Sequence, residues 1–129
     1  MIIEKNRYLI RTKILIGNFL GGSPEDCFVE LREPSTTELY DLKEKWRVTR
    51  GSASQSMYAL VDLLPNLIVE HNGYKSENEK YSNQEMVETI LSKIEMFEHV
   101  VMQYYEKVLF TIMPEMKEEE SSDRGKKTD

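Results

Sequence analysis

A chain of 129 residues with 40% hydrophobic and 31% charged side chains is one domain. It is long enough to bury a core without disulfides or metals and polar enough to carry a solvated tail. The formal net charge of −6 argues against a general nucleic-acid binder, which needs a basic face to displace counterions from phosphates, and against docking on an anionic membrane. Cys27 is the only cysteine, so an internal disulfide is excluded and a reducing cytoplasm is expected; no apolar run has the length of a signal peptide or membrane span.

From Tyr8 to Phe19, residues Tyr8, Ile10, Thr12, Ile14 and Ile16 fall on one side of a period of two, with Arg7, Arg11 and Lys13 on the other. This pattern predicts a half-buried strand, or two short ones. Gly21-Gly22-Ser23-Pro24 breaks it. Cys27, Val29 and Leu31 then alternate with Glu30 and Arg32, a second strand expected to pair with the first as a hairpin. Pro34 lacks an amide hydrogen and biases Glu33 toward extended geometry, which ends the strand there. Ser35 and Glu38 have the spacing of a capping box. The helix they open carries Leu39, Leu42 and Trp46 and is expected to end near Thr49-Arg50-Gly51.

A second helix is expected to start among Ser52, Ser54 and Ser56, with Met57, Leu60, Val61 and Leu64 as its apolar stripe. Pro65 either kinks it or sits in the first turn of a further short helix through Leu67, Ile68 and Val69. Asn72-Gly73 suits a left-handed C-cap, and the polar stretch from Tyr74 to Tyr81 reads as a loop. Ser82 and Glu85 make a second capping box, opening the third helix. In it Met86, Ile90, Ile94, Phe97, Val101, Tyr104 and Val108 repeat at spacings of four and three, widened by Val87, Leu91, Val100 and Leu109. A face this broad packs on two neighbours, or on one neighbour and a partner. Pro114 ends it. The predicted architecture is α+β and mostly α: an N-terminal β-hairpin, then about three helices with the last one longest. Residues 1–114 form one domain, and 115–129 form a disordered charged tail.

No catalytic or metal-binding motif is present, and no cofactor is implied. His71 and His99 are the only histidines, a poor start for a four-ligand zinc site; His71 is read as structural, beside a helix end. Cys27 shares a strand face with Val29 and Leu31 and is read as a small core hydrophobe. Asp26 and Glu30 are read as part of a solvated face rather than as an acid/base pair. Gly21-Gly22 lacks the Lys-Ser/Thr and further glycine of a phosphate loop. Met86, Met96, Met102 and Met113, with Tyr104, Tyr105 and Phe110, make the last helix adaptable. That suits core packing and also suits binding of varied helical segments.

Val29-Glu30-Leu31-Arg32-Glu33-Pro34-Ser35-Thr36-Thr37-Glu38-Leu39 resembles the opening of tail assembly chaperones of long-tailed bacteriophages: an extended segment, an Arg-Glu-Pro-like turn, then a helix with early Glu and Leu. Residues Ala59 to Leu91 are similar to that family's middle helix, loop and entry to its last helix, through Leu63-Leu64-Pro65-Asn66-Leu67-Ile68-Val69-Glu70-His71-Asn72 and Ser82-Asn83-Gln84-Glu85-Met86-Val87. The resemblance implies a non-enzymatic protein of the bacterial host cytoplasm, absent from the mature virion. Such proteins coat the tape-measure protein, keep it soluble and help recruit tail tube protein. It implies no nucleic-acid or membrane partner and leaves self-association open. The partner-binding face expected on this reading is Phe97, Val101, Tyr104, Tyr105 and Val108. The family often makes a longer product by ribosomal slippage; Gly125-Lys126-Lys127 is read as ordinary charged tail, and the codons there decide the point. Two rivals are a small acidic interaction module, such as a regulator or antitoxin with a basic partner, and a small enzyme with a deep polar pocket.

Overall fold

A computed structural model describes residues 1–3, 9–48 and 53–114. Strands β1 (Arg11–Leu15) and β2 (Phe28–Arg32) pair antiparallel, with Thr12 opposite Leu31 and Ile14 opposite Val29. The alternation read from the sequence holds at its centre, where Ile14, Ile16, Val29 and Leu31 are buried and Arg11 and Lys13 are exposed; Arg32, read on the polar side, is buried, and Arg7 and Tyr8 lie outside the described residues. The connection is no tight turn. Between Ile16, whose amide donates to the Cys27 carbonyl at 2.8 Å, and Cys27 itself, the chain winds through two 3₁₀ turns, Gly17–Leu20 and Pro24–Asp26. Gly21 ends the first with φ of 89°, a left-handed conformation that glycine adopts without strain. Ser23 and Asp26 cap the second reciprocally, the Ser23 amide donating to Asp26 Oδ2 at 2.9 Å.

Helix α1 (Thr36–Val48) starts at the predicted capping box. The Ser35 amide donates to Glu38 Oε1 at 2.8 Å and the Glu38 amide to Ser35 Oγ at 3.3 Å. After α1 come α2 (Ala53–Tyr58), a turn, and α3 (Leu64–Leu67), with Pro65 in its first turn. The chain then diverges from expectation. Ile68–His71 is not helix but strand β3, antiparallel to β2, and completes a three-stranded sheet in the order β1-β2-β3. A register irregularity opposite Glu30 and Leu31 leaves both end residues of β3 buried and its middle pair exposed. Asn72-Gly73 is no left-handed cap: Gly21 is the one glycine with positive φ among the described residues. Instead Asn72 ties β3 to β2, accepting from the Phe28 amide at 2.8 Å and donating to the Asp26 carbonyl at 3.2 Å. The stretch read as a loop contains a small hairpin, β4 (Tyr74–Ser76) with β5 (Glu79–Lys80). All of its residues are exposed, so no apolar alternation marks it in the sequence.

The last helix is interrupted. α4 (Asn83–Leu91) opens at the predicted Ser82–Glu85 box, and α5 (Ile94–Tyr104) follows an extended Lys93. Ser92 Oγ donates back to the Thr89 carbonyl at 2.6 Å and Lys93 Nζ to the Phe19 carbonyl at 2.6 Å. The first adds a donor to a carbonyl at the end of α4, and the second ties the break to the first 3₁₀ turn. Ile94, predicted in the stripe, is therefore 66% exposed. A π-helical turn, Tyr105–Leu109, and a last short helix α6 (Phe110–Ile112) extend α5. The π turn slips the phase by one residue, so that Val108 and Leu109 are both buried. The run from Ile94 to Ile112 remains the longest helical stretch, but α1 is the longest uninterrupted α-helix at 13 residues. The fold is α+β and mostly helical. Residues 115–129, and the expected helix boundaries at Thr49–Ser52, lie outside the described residues. Among those described, no helix is long and apolar enough to cross a membrane.

α5 and the π turn lie against β1, while α3 lies against β2 and β3, giving helices packed on one sheet face. Tyr104, fully buried, donates its hydroxyl to the Arg32 carbonyl at 2.8 Å; burial pushes its phenol well above the ordinary range. His71 is buried at the end of β3, and its Nδ1 accepts from the Gly73 amide at 3.1 Å. Burial, then the nearby Lys80 charge, lower its pKa against an opposing backbone bond to Tyr81. The unfolded chain therefore takes up a proton below about pH 6.5 before the folded one does, so stability falls as pH drops through that region. His71→Asn, whose Oδ1 can accept the Gly73 amide, is expected to flatten denaturation midpoints between about pH 6.5 and 5. Parallel profiles for the two proteins would rule His71 out as the group responsible.

Candidate functional site

A concavity lies between α1 and the α2–α3 segment. One lobe, about 600 Å³, is lined by Val48, Gln55, Tyr58 and Ala59. The other, about 400 Å³, is lined by Glu38, Asp41, Leu42 and Leu63. Glu44, Lys45, Ala59 and Asp62 belong to both, so the two are halves of one open groove. Helical spacing builds its near wall: Glu38, Asp41, Lys45 and Val48 recur at three and four along α1. Lys45 Nζ meets Asp62 Oδ2 at 3.0 Å across the groove. Both side chains are largely exposed, so this bridge contributes at most about 1 kcal/mol and opens easily.

The rim is acidic. Glu38 is held by Arg32 in a two-pronged pair at 2.8 and 3.0 Å. That bond, with the Ser35 amide, lowers its carboxyl pKa against partial burial. Glu44 pairs with Arg47 one turn along α1, which lowers its pKa too. Asp41 is exposed and makes no ion pair among the described residues.

The residues expected to form a partner face lie elsewhere. Phe97, Val101, Tyr104 and Val108 are core: all four are buried, the last three completely. Tyr105 is half-buried. Four of the five expected residues are thus core, and α5 with the π turn packs against β1. Phe97 and Tyr105 instead brace the groove from beneath. Tyr58, 62% exposed in the groove wall, packs edge-on against the Phe97 ring at 6.3 Å. Trp46 Nε1 and the Tyr105 hydroxyl both donate to the Ser56 carbonyl, at 3.1 and 3.5 Å, and their rings lie 6.0 Å apart. Of the four methionines, Met86, Met96 and Met113 are buried, as the core reading expects, and Met102 is exposed.

The remaining candidates take structural places. His99 packs against Phe19 with ring centroids 5.3 Å apart. Cys27 is half-buried and burial raises its thiol pKa, the opposite of what a nucleophile needs. Asp26 caps a 3₁₀ turn, and Glu30 faces Lys13 across the strands. Among the described residues no three His, Cys, Asp or Glu side chains converge as a metal site requires. The groove itself went unread in the sequence. Its signal is an apolar residue off the stripe of its own helix: Val48 on α1 and Tyr58 on α2 are both large and largely exposed.

Fold and groove together define an α+β domain with an open, acid-rimmed apolar groove between helices, a shape suited to a chain segment rather than an enclosed small molecule. The chain matches no family model, no curated protein and no solved structure.

Proposed function

We propose that this protein is a tail assembly chaperone of a long-tailed phage or prophage. On this reading it holds the helical tape-measure protein soluble in the host cytoplasm and helps recruit tail tube subunits, without catalysis or cofactor. The observation that carries the reading is the groove between α1 and α2, where an apolar floor accessible to a protein segment is surrounded by charged side chains. The resemblance of residues 29–39 and 59–91 to that family supplies the identity of the segment's owner. With Phe97, Val101, Tyr104 and Val108 buried, the contact surface on this reading moves from the last helix to the groove.

The test is co-expression with whichever downstream reading frame encodes the longest helical protein. The expected outcome is that the helical protein turns soluble and co-purifies with this chain. If it stays insoluble, or is soluble unaided, the chaperone reading falls and a small acidic regulator or antitoxin takes its place.

A further inference from the structure

The groove is not uniform along its length, and its asymmetry describes what fits it. At the Val48 end the lining is apolar: Val48 and Tyr58 are 74% and 62% exposed beside Ala59. Toward the start of α1 the lining gathers Glu38 and Asp41, with Asp62 opposite. Among the described residues lining the two lobes, four carboxylates (Glu38, Asp41, Glu44, Asp62) face a single ammonium, Lys45. Glu38 and Glu44 are engaged by arginines of this chain, Arg32 and Arg47. That leaves Asp41, without an ion pair, and Asp62, whose ion pair is the exposed bridge to Lys45, both among the described residues. From Glu38 to Val48 the near wall rises about 15 Å, or roughly three helical turns.

We infer that the groove takes a basic amphipathic helix of about three turns, its apolar side chains seated against Val48, Tyr58 and Ala59 and a lysine or arginine one to two turns along it paired with Asp41 and Asp62. Two features favour this occupant. An acidic segment would meet like charge on both walls, which weakens binding across an interface. A wholly apolar segment would strip water from the carboxylates without replacing it. The Lys45–Asp62 bridge is the element exchanged on binding: the incoming cation replaces Lys45 at Asp62, at little cost because the bridge is exposed. The inference rests on the groove being the contact surface in the reading above, and it adds the chemistry of the segment that enters.

The test uses two fluorescein-labelled synthetic peptides of about 14 residues with the same leucine stripe, one flanked by lysines and one by glutamates. Anisotropy titrations with the full chain are run at about 0.05 and 0.5 M salt. The lysine peptide is expected to bind at least about tenfold more tightly than the glutamate peptide, with the difference shrinking at high salt. Asp41→Lys combined with Asp62→Lys should abolish the preference while leaving circular dichroism unchanged, since both positions are exposed. Lys45→Glu, which adds a carboxylate to the groove, should strengthen lysine-peptide binding a few-fold. No binding of the lysine peptide, equal binding of the two peptides, or an unaltered preference in the double variant would each overturn the inference. The two readings fail separately. If the double variant still solubilises the co-expressed helical protein, the chaperone reading stands and this groove is not its grip. If peptide preference follows the groove charges but no helical protein is solubilised, the groove stands and the chaperone reading falls.

Discussion

Replacing Gly17 with alanine is expected to destabilise the protein by about 3 kcal/mol or more, a fall of about 10 °C in Tm. A Cβ on Gly17 would lie 2.0 Å from the Ser23 carbonyl oxygen and 3.0 Å from both the Cys27 amide nitrogen and the Pro24 carbonyl oxygen. All three are backbone atoms of the capped 3₁₀ turn that leads into β2, so none can swing aside as a side chain would. The cost comes from contact, not torsion, because Gly17 does not have a positive φ. Gly22→Ala is the control. The three atoms nearest its Cβ all belong to the Asp26 side chain, with Oδ2 closest at 2.5 Å, and that carboxylate can rotate away at the cost of the cap, about 1 kcal/mol. Urea denaturation of the two variants checks this. A Gly17→Ala loss no larger than that of Gly22→Ala would mean that the β1–β2 connection yields where the geometry says it cannot.

Glu38→Ala is the second large effect, also about 3 kcal/mol. The carboxylate does two jobs in one position. It accepts from the Ser35 amide as half of the capping box, and it neutralises Arg32, whose side chain is only 11% exposed. Removing it takes both carboxylate oxygens from a largely buried guanidinium, which keeps its 2.9 Å bond to the Glu33 carbonyl, in the residue whose own carbonyl receives the Tyr104 hydroxyl. Glu38→Gln keeps an acceptor and should lose less. The pH dependence has a definite sign. Arg32 lowers the Glu38 pKa in the folded state, so the stability it lends is complete above the unfolded value, about 4.5, and is lost as pH falls from there through the lowered folded value. Glu38→Ala should lack that acid-side loss. Denaturation midpoints from about pH 6 down to 3, compared with the unaltered chain, provide the measurement; superimposable curves would show that the pair contributes nothing.

How much of this was legible in the chain depends on the range of each interaction. Both capping boxes were readable because each is closed within a span of four residues, Ser35 to Glu38 and Ser82 to Glu85. The strand ending before Pro34 and the inward set Ile14, Ile16, Val29 and Leu31 were readable for the same reason: period-two alternation and a missing amide are local facts. β3 was misread because Leu64, Leu67, Ile68 and His71 have helical spacing. Its β-branched Ile68-Val69 pair, followed by Asn72-Gly73, was the weaker signal that proved right. What made it a strand was the hydrogen-bonding edge of β2, a partner far away in sequence.

The break in the last helix follows the same rule. The stripe from Met86 to Val108 is continuous in sequence, yet the bond from Lys93 to the Phe19 carbonyl belongs to a loop far earlier in the chain. By itself the sequence determined the α+β class, the start of α1 and α4, the inward faces of β1 and β2, and the acidic balance, because these depend on neighbours within a few residues and on charge alone. Only the tertiary structure decided which apolar residues are surface and which are core. Burial is shared between elements. The wide face of Phe97, Val101, Tyr104 and Val108 went into the core, and an open groove formed where α1 and α2 do not quite meet.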